Sequence, residues 1–197
     1  GSTYHNPKFD GHWHYDPDKA KALLAESGHP DGFEATLLST AQYGMHKTTA
    51  EVVQQNLAEI GINLKLNLPD WATRVALGGR GQYDIAVMGS AGDYNDPDAL
   101  TQFLDSSQGT SYIRSVGFAD PEINSLLDAG RKELDEAKRK EIYDRMHARA
   151  LETVPLVSIN WRAQGYATRA SVEGFTNMPG FLTFYSGYSI ENAAIPG

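Results

Sequence analysis

Cysteine is absent from this sequence, and several kinds of site are excluded with it. Without a thiol, the chain can form no disulfide framework, no thiolate zinc site and no cysteine nucleophile. The sequence also lacks the Gly-x-Ser-x-Gly nucleophile elbow, the P-loop and the His-Glu-x-x-His motif. The residues therefore give no support to an enzyme that uses one of these motifs.

Long hydrophobic runs and an excess of positive charge are missing as well. No stretch approaches the ~20 uninterrupted apolar residues that a membrane helix needs. Asp and Glu number 25 against 17 Lys and Arg, so the formal net charge is −8. Because binding to a phosphate backbone requires clustered Lys and Arg, we expect no interaction with nucleic acid.

Hydrophobic residues make up 41% of the 197 residues, which is enough to bury one substantial core. The first ninety residues alternate between helical and strand patterns. Helices are predicted for residues 17–28, 47–60 and 71–77, and strands for residues 33–38, 62–68 and 83–88. This alternation predicts an α/β architecture, in which helices pack on the faces of a sheet.

The second half begins with a helical pattern and ends with a segment that lacks one. Apolar spacing predicts a hairpin of two helices, over residues 121–130 and 137–152. Residues 154–161 read as a strand that begins next to a proline. Beyond Gly165 the chain is rich in glycine, aromatic residues and asparagine. We expect its aromatic residues Phe175, Phe181, Phe184, Tyr185 and Tyr188 to be exposed and to pack against something outside the sequence.

Six segments, in this order and at this spacing, resemble one protein family. They are residues 15–28, 30–33, 53–66, 83–89, 92–97 and 118–127. The family is that of the extracytoplasmic solute-binding proteins, which includes the dipeptide-, oligopeptide- and nickel-binding components of ABC importers. The resemblance implies one lobe of a type II periplasmic-binding-protein-like fold, with a mixed sheet flanked by helices.

The resemblance also implies a division of the chain and a function. Residues 1–158 would form the carboxy-terminal ligand-binding lobe, and residues 159–197 a return segment that packs on a missing amino-terminal lobe. The whole protein would capture a peptide or other small solute in the cleft between its lobes and deliver it to an ABC permease. We expect a periplasmic or other extracytoplasmic location, a signal peptide outside this sequence, no cofactor and no catalysis.

The expected ligand-binding residues are Trp71, Ser90, Asp93 and Tyr94. Asp93 matches an aspartate that anchors the amino group of peptide ligands in similar proteins, and Trp71 matches a tryptophan that lines the cleft. From the residues alone, Asp93 can equally make an Asx turn and Trp71 can belong to the core. Asp96 is assigned to helix capping.

Two departures from the family pattern leave the identity of the solute undecided. Gly78 and Val87 stand where an oligopeptide binder carries arginines, so a peptide carboxylate has no matching cation in this lobe. Peptides, opines, sugars and metal complexes all remain candidates. His5, His12 and His14 lie near one another in the sequence, but no metal-binding motif accompanies them, and we expect no metal site.

Two other classes of function remain as alternatives. A hydrolase could use Asp93 with Asp96 or Asp98 as its pair of carboxylates, although such a pair must flank its substrate from two sides. The three residues instead fall within one short loop and the start of a helix. A stand-alone interaction domain without a small ligand is the second alternative.

Overall fold

The computed structural model describes residues 3–90, 96–160, 165–176, 178 and 187–196. In chain order the elements are α1 (Pro17–Glu26), β1 (Phe33–Leu38), α2 (Gly44–Ala58), β2 (Ile62–Asn67), α3 (Trp71–Gly79), β3 (Ile85–Ala86), α4 (Thr101–Leu104), α5 (Pro121–Lys132) and α6 (Glu136–Thr153). Short 3-10 helices span Pro7–Phe9, Pro97–Leu100 and Gly187–Ser189. Within these ranges, none of the helices has the length and apolar character needed to cross a bilayer.

The sheet has β1 at its centre, between β2 and β3. Both neighbours run parallel to β1, with Leu37 opposite Leu66 on one side and Ile85 on the other. The α/β prediction is confirmed. A mixed sheet was expected, but the strands of the described sheet are all parallel. They pair in parallel because every connection between them crosses over through a helix.

One face of the sheet is apolar and lies against α2. Alternate residues of β2 point to this face, so Ile62 and Leu64 are buried while Asn63 and Lys65 are exposed. The buried residues of this core are Leu37, Ala50, Ile62, Leu64 and Val87. The opposite face is polar, and it carries an open depression of about 420 Å³ whose lining includes Glu34, Lys65 and Asp84.

The helices α5 and α6 form the predicted hairpin and a second core. Its buried residues are Leu104, Ile123, Leu126, Leu127, Tyr143 and Met146. The Asp120 carboxylate caps α5 by accepting hydrogen bonds from the backbone N–H groups of Glu122 and Ile123. The same carboxylate accepts a hydrogen bond from Arg149 of α6 at 2.8 Å, so one aspartate both starts α5 and ties it to α6.

Two strand predictions need correction. The predicted strand over residues 83–88 is reduced to Ile85–Ala86, because only this part of the segment pairs with β1 as a ladder. Residues 154–160 form no strand. Val154 ends α6 in the left-handed conformation, with φ of +47°, and no described strand lies beside this segment to pair with it. Trp161 lies outside the described residues.

The tail contains one pairing among its described residues, an antiparallel bridge between Glu173 and Ala194. Tyr166 packs against Phe175, with ring centroids 5.5 Å apart. Tyr188 is 60% exposed, which agrees with the expectation of exposed aromatic residues in this segment. The predicted exposed residues Phe181, Phe184 and Tyr185 lie outside the described residues.

The turns before β1 and β2 depend on two glycines in close contact. Gly32 has φ of +76°, and a Cβ added to it would lie 2.0 Å from the carbonyl oxygen of Gly61. We predict that Gly32→Ala lowers the free energy of unfolding by at least about 2 kcal/mol more than Gly28→Ala does, because a backbone clash adds to the conformational strain. Urea denaturation of both variants measures this difference.

Gly28 is the matched control, since its φ is +88° and an added Cβ would meet nothing within 4 Å. The loss of stability in Gly28→Ala therefore reflects only the cost of the left-handed conformation, which is about 1–2 kcal/mol for a residue with a Cβ. Equal losses in the two variants would show that the contact between Gly32 and Gly61 places no constraint on the sheet.

Candidate functional site

The carboxyl ends of the three parallel strands meet at one edge of the sheet. Backbone hydrogen bonds continue beyond the strands, from Ser39 to Asn67 and from Val87 to Leu38, each at 2.9 Å. The segments that follow β1, β2 and β3 therefore start side by side. In open α/β sheets, ligands bind in the crevice outside this edge, so a ligand site is expected here.

Four ring-bearing side chains form a cluster at this edge, which we call the edge cluster: Tyr43, His46, Trp71 and Tyr112. Trp71 lies at its centre. Its ring centroid is 5.3 Å from that of Tyr43, 5.9 Å from that of His46 and 5.6 Å from that of Tyr112, all in edge-to-face geometry. The indole is partly exposed, so the cluster presents an aromatic wall to solvent.

Local hydrogen bonds hold Trp71 at the start of α3. Asp70 caps the helix by accepting a hydrogen bond from the backbone N–H of Thr73 at 3.1 Å. The backbone N–H of Trp71 itself donates to the side-chain oxygen of Gln42 at 2.9 Å. This bond joins the loop after β1 to the loop after β2, and it fixes the tryptophan between them.

Arg74 lies behind this wall and is fully buried. Its Nη1 donates to the carbonyl of Tyr112 at 3.1 Å, and its Nη2 donates to the carbonyl of Val87 at 2.9 Å. The guanidinium carbon lies 5.9 Å from the Trp71 ring centroid and 5.7 Å from that of Tyr112. Burial lowers the pKa of Arg74 from its ordinary value.

Gly78 makes room for this guanidinium. It follows Arg74 by one helical turn, and a Cβ added to it would lie 2.6 Å from Nη1 of Arg74. Arg74 therefore touches both positions, Gly78 and Val87, at which the sequence lacks a matching arginine. Arg74 was not among the predicted site residues. The spacing of residues 71, 74 and 78 could have indicated it, because residues three and four apart lie on one face of a helix.

His46 is the other buried nitrogen-bearing side chain of the site, and it is 8% exposed. Burial and, secondarily, the charge of Arg74 lower its pKa, so the imidazole is neutral at neutral pH. Within the part of the chain that the structure describes, its Nδ1 has no hydrogen-bond partner. Gly89 lets the His46 ring lie close to the backbone after β3, because a Cβ at position 89 would lie 3.2 Å from Nε2 of His46.

The predicted site residues divide into two groups. Trp71 lies in the edge cluster, and Ser90 is exposed at the end of the segment that leaves β3. Asp93 and Tyr94 lie outside the described residues. Tyr43, His46 and Tyr112 were not predicted, because their approach to Trp71 depends on how the strands pair rather than on a local motif.

Asp96 and Asp98 follow residues 91–95, which lie outside the described residues, and they form ion pairs with the helical hairpin. Arg139 donates from its two terminal nitrogens to the two oxygens of Asp96, at 2.7 and 2.8 Å. Asp96 also caps the following 3-10 helix, as predicted. Asp98 accepts a hydrogen bond from Arg131 at 3.0 Å. Both carboxylates therefore hold the 3-10 helix Pro97–Leu100 to α5 and α6.

The histidines near the amino terminus contact different side chains. His5 lies 3.3 Å from Asp10, and His14 lies 3.8 Å from Asp16. The His12 ring instead meets the ring of Trp13 edge to face. Across the described ranges, no group of three His, Asp or Glu side chains is placed to hold a metal ion.

Comparisons with known proteins identify what this chain is similar to. The family model described as bacterial extracellular solute-binding proteins, family 5 middle, matches residues 1–112. Di/tripeptide-binding protein 1 of Pseudomonas aeruginosa is 28% identical over 179 residues, which are 87% of this chain and 33% of that protein. The chain thus spans about a third of the length of the curated relatives it matches.

Solved structures extend the similarity to the whole chain. The PBP AgaA from A. tumefaciens R10, solved in complex with agropinic acid, is 47% identical with a TM-score of 0.90, and the match covers 100% of this chain and 40% of AgaA. A dipeptide-binding protein from Pseudoalteromonas sp. SM9913, solved in complex with Met-Leu, is 28% identical with a TM-score of 0.74. That match covers 92% of this chain and 36% of that protein.

The ion pair between Asp96 and Arg139 gives a pH-dependent prediction. Hydrogen bonds from Arg139 lower the pKa of Asp96 below its ordinary value of 3.8. Its contribution to stability is therefore present above about pH 3.8 and is lost as the pH falls through the lowered pKa. We predict that Asp96→Asn lowers the free energy of unfolding by about 1–2 kcal/mol at pH 7, and by less at pH 3.

Urea denaturation of wild type and variant at both pH values measures this effect, and asparagine keeps the helix cap so that the charge alone is tested. Asp128→Asn is the control, since Asp128 pairs with Lys132 on an exposed helix face, and a loss below about 0.5 kcal/mol is expected. A difference between wild type and Asp96→Asn that is the same at pH 7 and pH 3 would contradict the prediction.

Proposed function

We propose the function of this chain from one premise: it belongs to the bacterial extracellular solute-binding proteins of family 5, whose model matches residues 1–112. The chain is the carboxy-terminal ligand-binding lobe of such a protein, over residues 1–158. Residues 159–197 return toward an amino-terminal lobe that this sequence does not include. The coverage supports this division, since the chain spans 40% of AgaA and about a third of its curated relatives.

The edge cluster is the observation that carries the proposal. A partly exposed tryptophan surrounded by three other rings, placed at the carboxyl ends of parallel strands, forms one wall of a ligand cleft. The likeness to AgaA covers the whole chain at 47% identity, so agropinic acid is the first solute to test. The protein captures a peptide or other small solute between its lobes and presents it to an ABC permease, from a periplasmic or other extracytoplasmic location.

Trp71, Ser90, Asp93 and Tyr94 are the proposed ligand contacts of this lobe. Trp71 and Ser90 lie at the same edge of the sheet, on the segments that follow β2 and β3. Asp93 and Tyr94 follow Ser90 directly in the sequence. The ion pairs of Asp96 and Asp98 support the proposal, because they fix the chain immediately after these residues.

The ion pairs of Asp96 and Asp98 also favour binding over catalysis. A carboxylate-dependent hydrolase would need Asp96 or Asp98 free to act with Asp93. Asp96 is held by Arg139 through both of its oxygens, and Asp98 is held by Arg131 and accepts a further bond from Thr101. Family members are binding proteins, and we propose no enzymatic activity for this chain.

A separate interaction domain accounts less well for the apolar surface that runs from the end of α6 into the return segment. The exposed apolar side chains of this surface include Leu156, Val157, Ile159, Tyr188, Ile190 and Ile195. In a two-lobed protein these residues face the amino-terminal lobe. Their exposure here follows from the extent of the chain, and it requires no unrelated partner.

The two-lobe mechanism predicts that ligand affinity needs both lobes. The intact protein, which carries the amino-terminal lobe, should bind agropinic acid in a saturable manner, while residues 1–197 alone bind it very weakly. A cleft encloses most of its ligand, so loss of one wall removes about half the contacts and leaves the remainder exposed to water. Isothermal titration calorimetry of both proteins with agropinic acid, Met-Leu and glucose tests this expectation.

Two results would contradict the proposal. The first is the absence of binding of all three solutes by the intact protein. The second is equally tight binding by residues 1–197 alone, which would make this chain a self-sufficient receptor.

Asp93 should act on an amine-bearing solute. We predict that Asp93→Asn in the intact protein weakens the binding of Met-Leu by roughly 1.5–3 kcal/mol, because a charge-assisted hydrogen bond to the ammonium is lost while the shape of the side chain is kept. Calorimetry measures the affinity, and circular dichroism checks the fold. Equal affinities of wild type and Asp93→Asn for Met-Leu, or no binding of Met-Leu by the wild type, would contradict the proposal that Asp93 binds the ligand's amino group.

A further inference from the structure

The amino-terminal residues run along one face of α6, and we call residues 4–15 the strap. In chain order, the side chains of the strap that contact this face include Tyr4, Phe9 and Trp13. Their partners in α6 are spaced by four residues, and they are the rings of Tyr143 and His147 and the carbonyl group of Leu151. Positions at this spacing form one stripe of a helix. The strap is therefore held to α6 as far as the last turn of the helix.

The strap begins beside Arg139, a residue in the first turn of α6. The guanidinium carbon lies 5.2 Å from the ring centroid of Tyr4 and 5.1 Å from that of Tyr143. An arginine has five N–H donors, and all five have acceptors here. The acceptors are the carbonyl of Gly130, the hydroxyls of Tyr4 and Tyr143, and both oxygens of Asp96. Arg139 thus joins the strap directly to Asp96.

This junction connects two places that matter for binding. Asp96 follows the proposed ligand contacts Asp93 and Tyr94 within three positions of sequence. In the two-lobed protein proposed above, the amino-terminal lobe precedes the strap, so the chain enters this lobe through it. A contact residue that is ordered before the ligand arrives costs less conformational entropy on binding. A restraint on Asp96 therefore favours affinity.

We propose that Tyr4 is a positioning residue for ligand binding, which acts through Arg139 and Asp96. The ring and hydroxyl of Tyr4 fix the guanidinium, and the guanidinium fixes Asp96 through both carboxylate oxygens. A movement of the strap relative to α6 is thereby transmitted to the chain next to the ligand contacts. This inference rests on the proposed function, and it adds a residue that influences affinity from the entrance of the lobe.

The experiment compares Tyr4→Leu with Phe9→Leu in the intact protein, by calorimetric titration with agropinic acid, Met-Leu and glucose. Tyr4→Leu removes the ring and the hydroxyl that hold Arg139. It should weaken the binding of the probe that the wild type binds by about three- to thirtyfold, the range for residues in a coupled network. Phe9→Leu removes another ring contact between the strap and α6 but leaves the partners of Arg139 in place. Its affinity should stay within about twofold of wild type.

A double-mutant cycle on affinity separates positioning from a general loss of stability. In an Asp96→Asn background the link from Arg139 to the site is already weakened, so the addition of Tyr4→Leu should weaken binding by no more than about twofold. A merely structural role of Tyr4 gives the same fold-loss in both backgrounds.

Urea denaturation checks the stability of each variant. If Tyr4→Leu does not fold, Tyr4→Phe takes its place in both comparisons, because it keeps the ring beside the guanidinium and removes only the hydroxyl. Its expected loss of affinity is about two- to fivefold.

The outcomes separate this inference from the proposed function. Unchanged affinity in the folded Tyr4 variant, an equal loss in Phe9→Leu, or an equal fold-loss in the two backgrounds of the cycle overturns the inference and leaves the receptor function intact. If the intact wild-type protein binds none of the three probes, both the inference and the proposed function fail.

Discussion

Backbone hydrogen bonds between β1 and its two parallel neighbours hold three strand ends at one edge of the sheet, and the whole site depends on that edge. Parallel pairing requires each strand to return through a helix, so α2 and α3 both start where their preceding strands end. Trp71 opens α3 and His46 lies in the first turn of α2. Their rings meet because the strands before them are neighbours, and no local motif could have joined them.

The same arrangement explains how a fully buried arginine can be tolerated. An unpaired charge in a core costs several kcal/mol, but Arg74 lies between elements whose carbonyl groups need donors. Val87 follows a strand of only two residues, and Tyr112 lies in a segment without helix or strand, so neither carbonyl is used by a regular ladder. The guanidinium satisfies both and joins α3 to the end of β3.

Sequence reasoning was most successful where structure is set by neighbouring residues. Asp16, Asp96 and Asp120 cap the helices that were predicted to follow them, because a cap needs only a carboxylate and a backbone amide two or three residues away. The edge cluster was predicted only through Trp71, since Tyr112 reaches it across 41 positions of sequence. The strand predicted over residues 154–161 had the right composition, but a strand also needs a neighbour, and Val154 ends α6 with positive φ instead.

The second core, formed by α5 and α6, supports the candidate site through ion pairs. The chain at Asp96 and Asp98 is fixed to the helical hairpin, because Arg139 holds Asp96 and Arg131 holds Asp98. Arg139 also donates to the carbonyl of Gly130, so the ion pair is anchored in the contact between α5 and α6. A lobe that closes on a solute as a rigid body must keep its contact residues in place without the ligand. The sheet does this for Trp71, and the hairpin does it for Asp96 and Asp98.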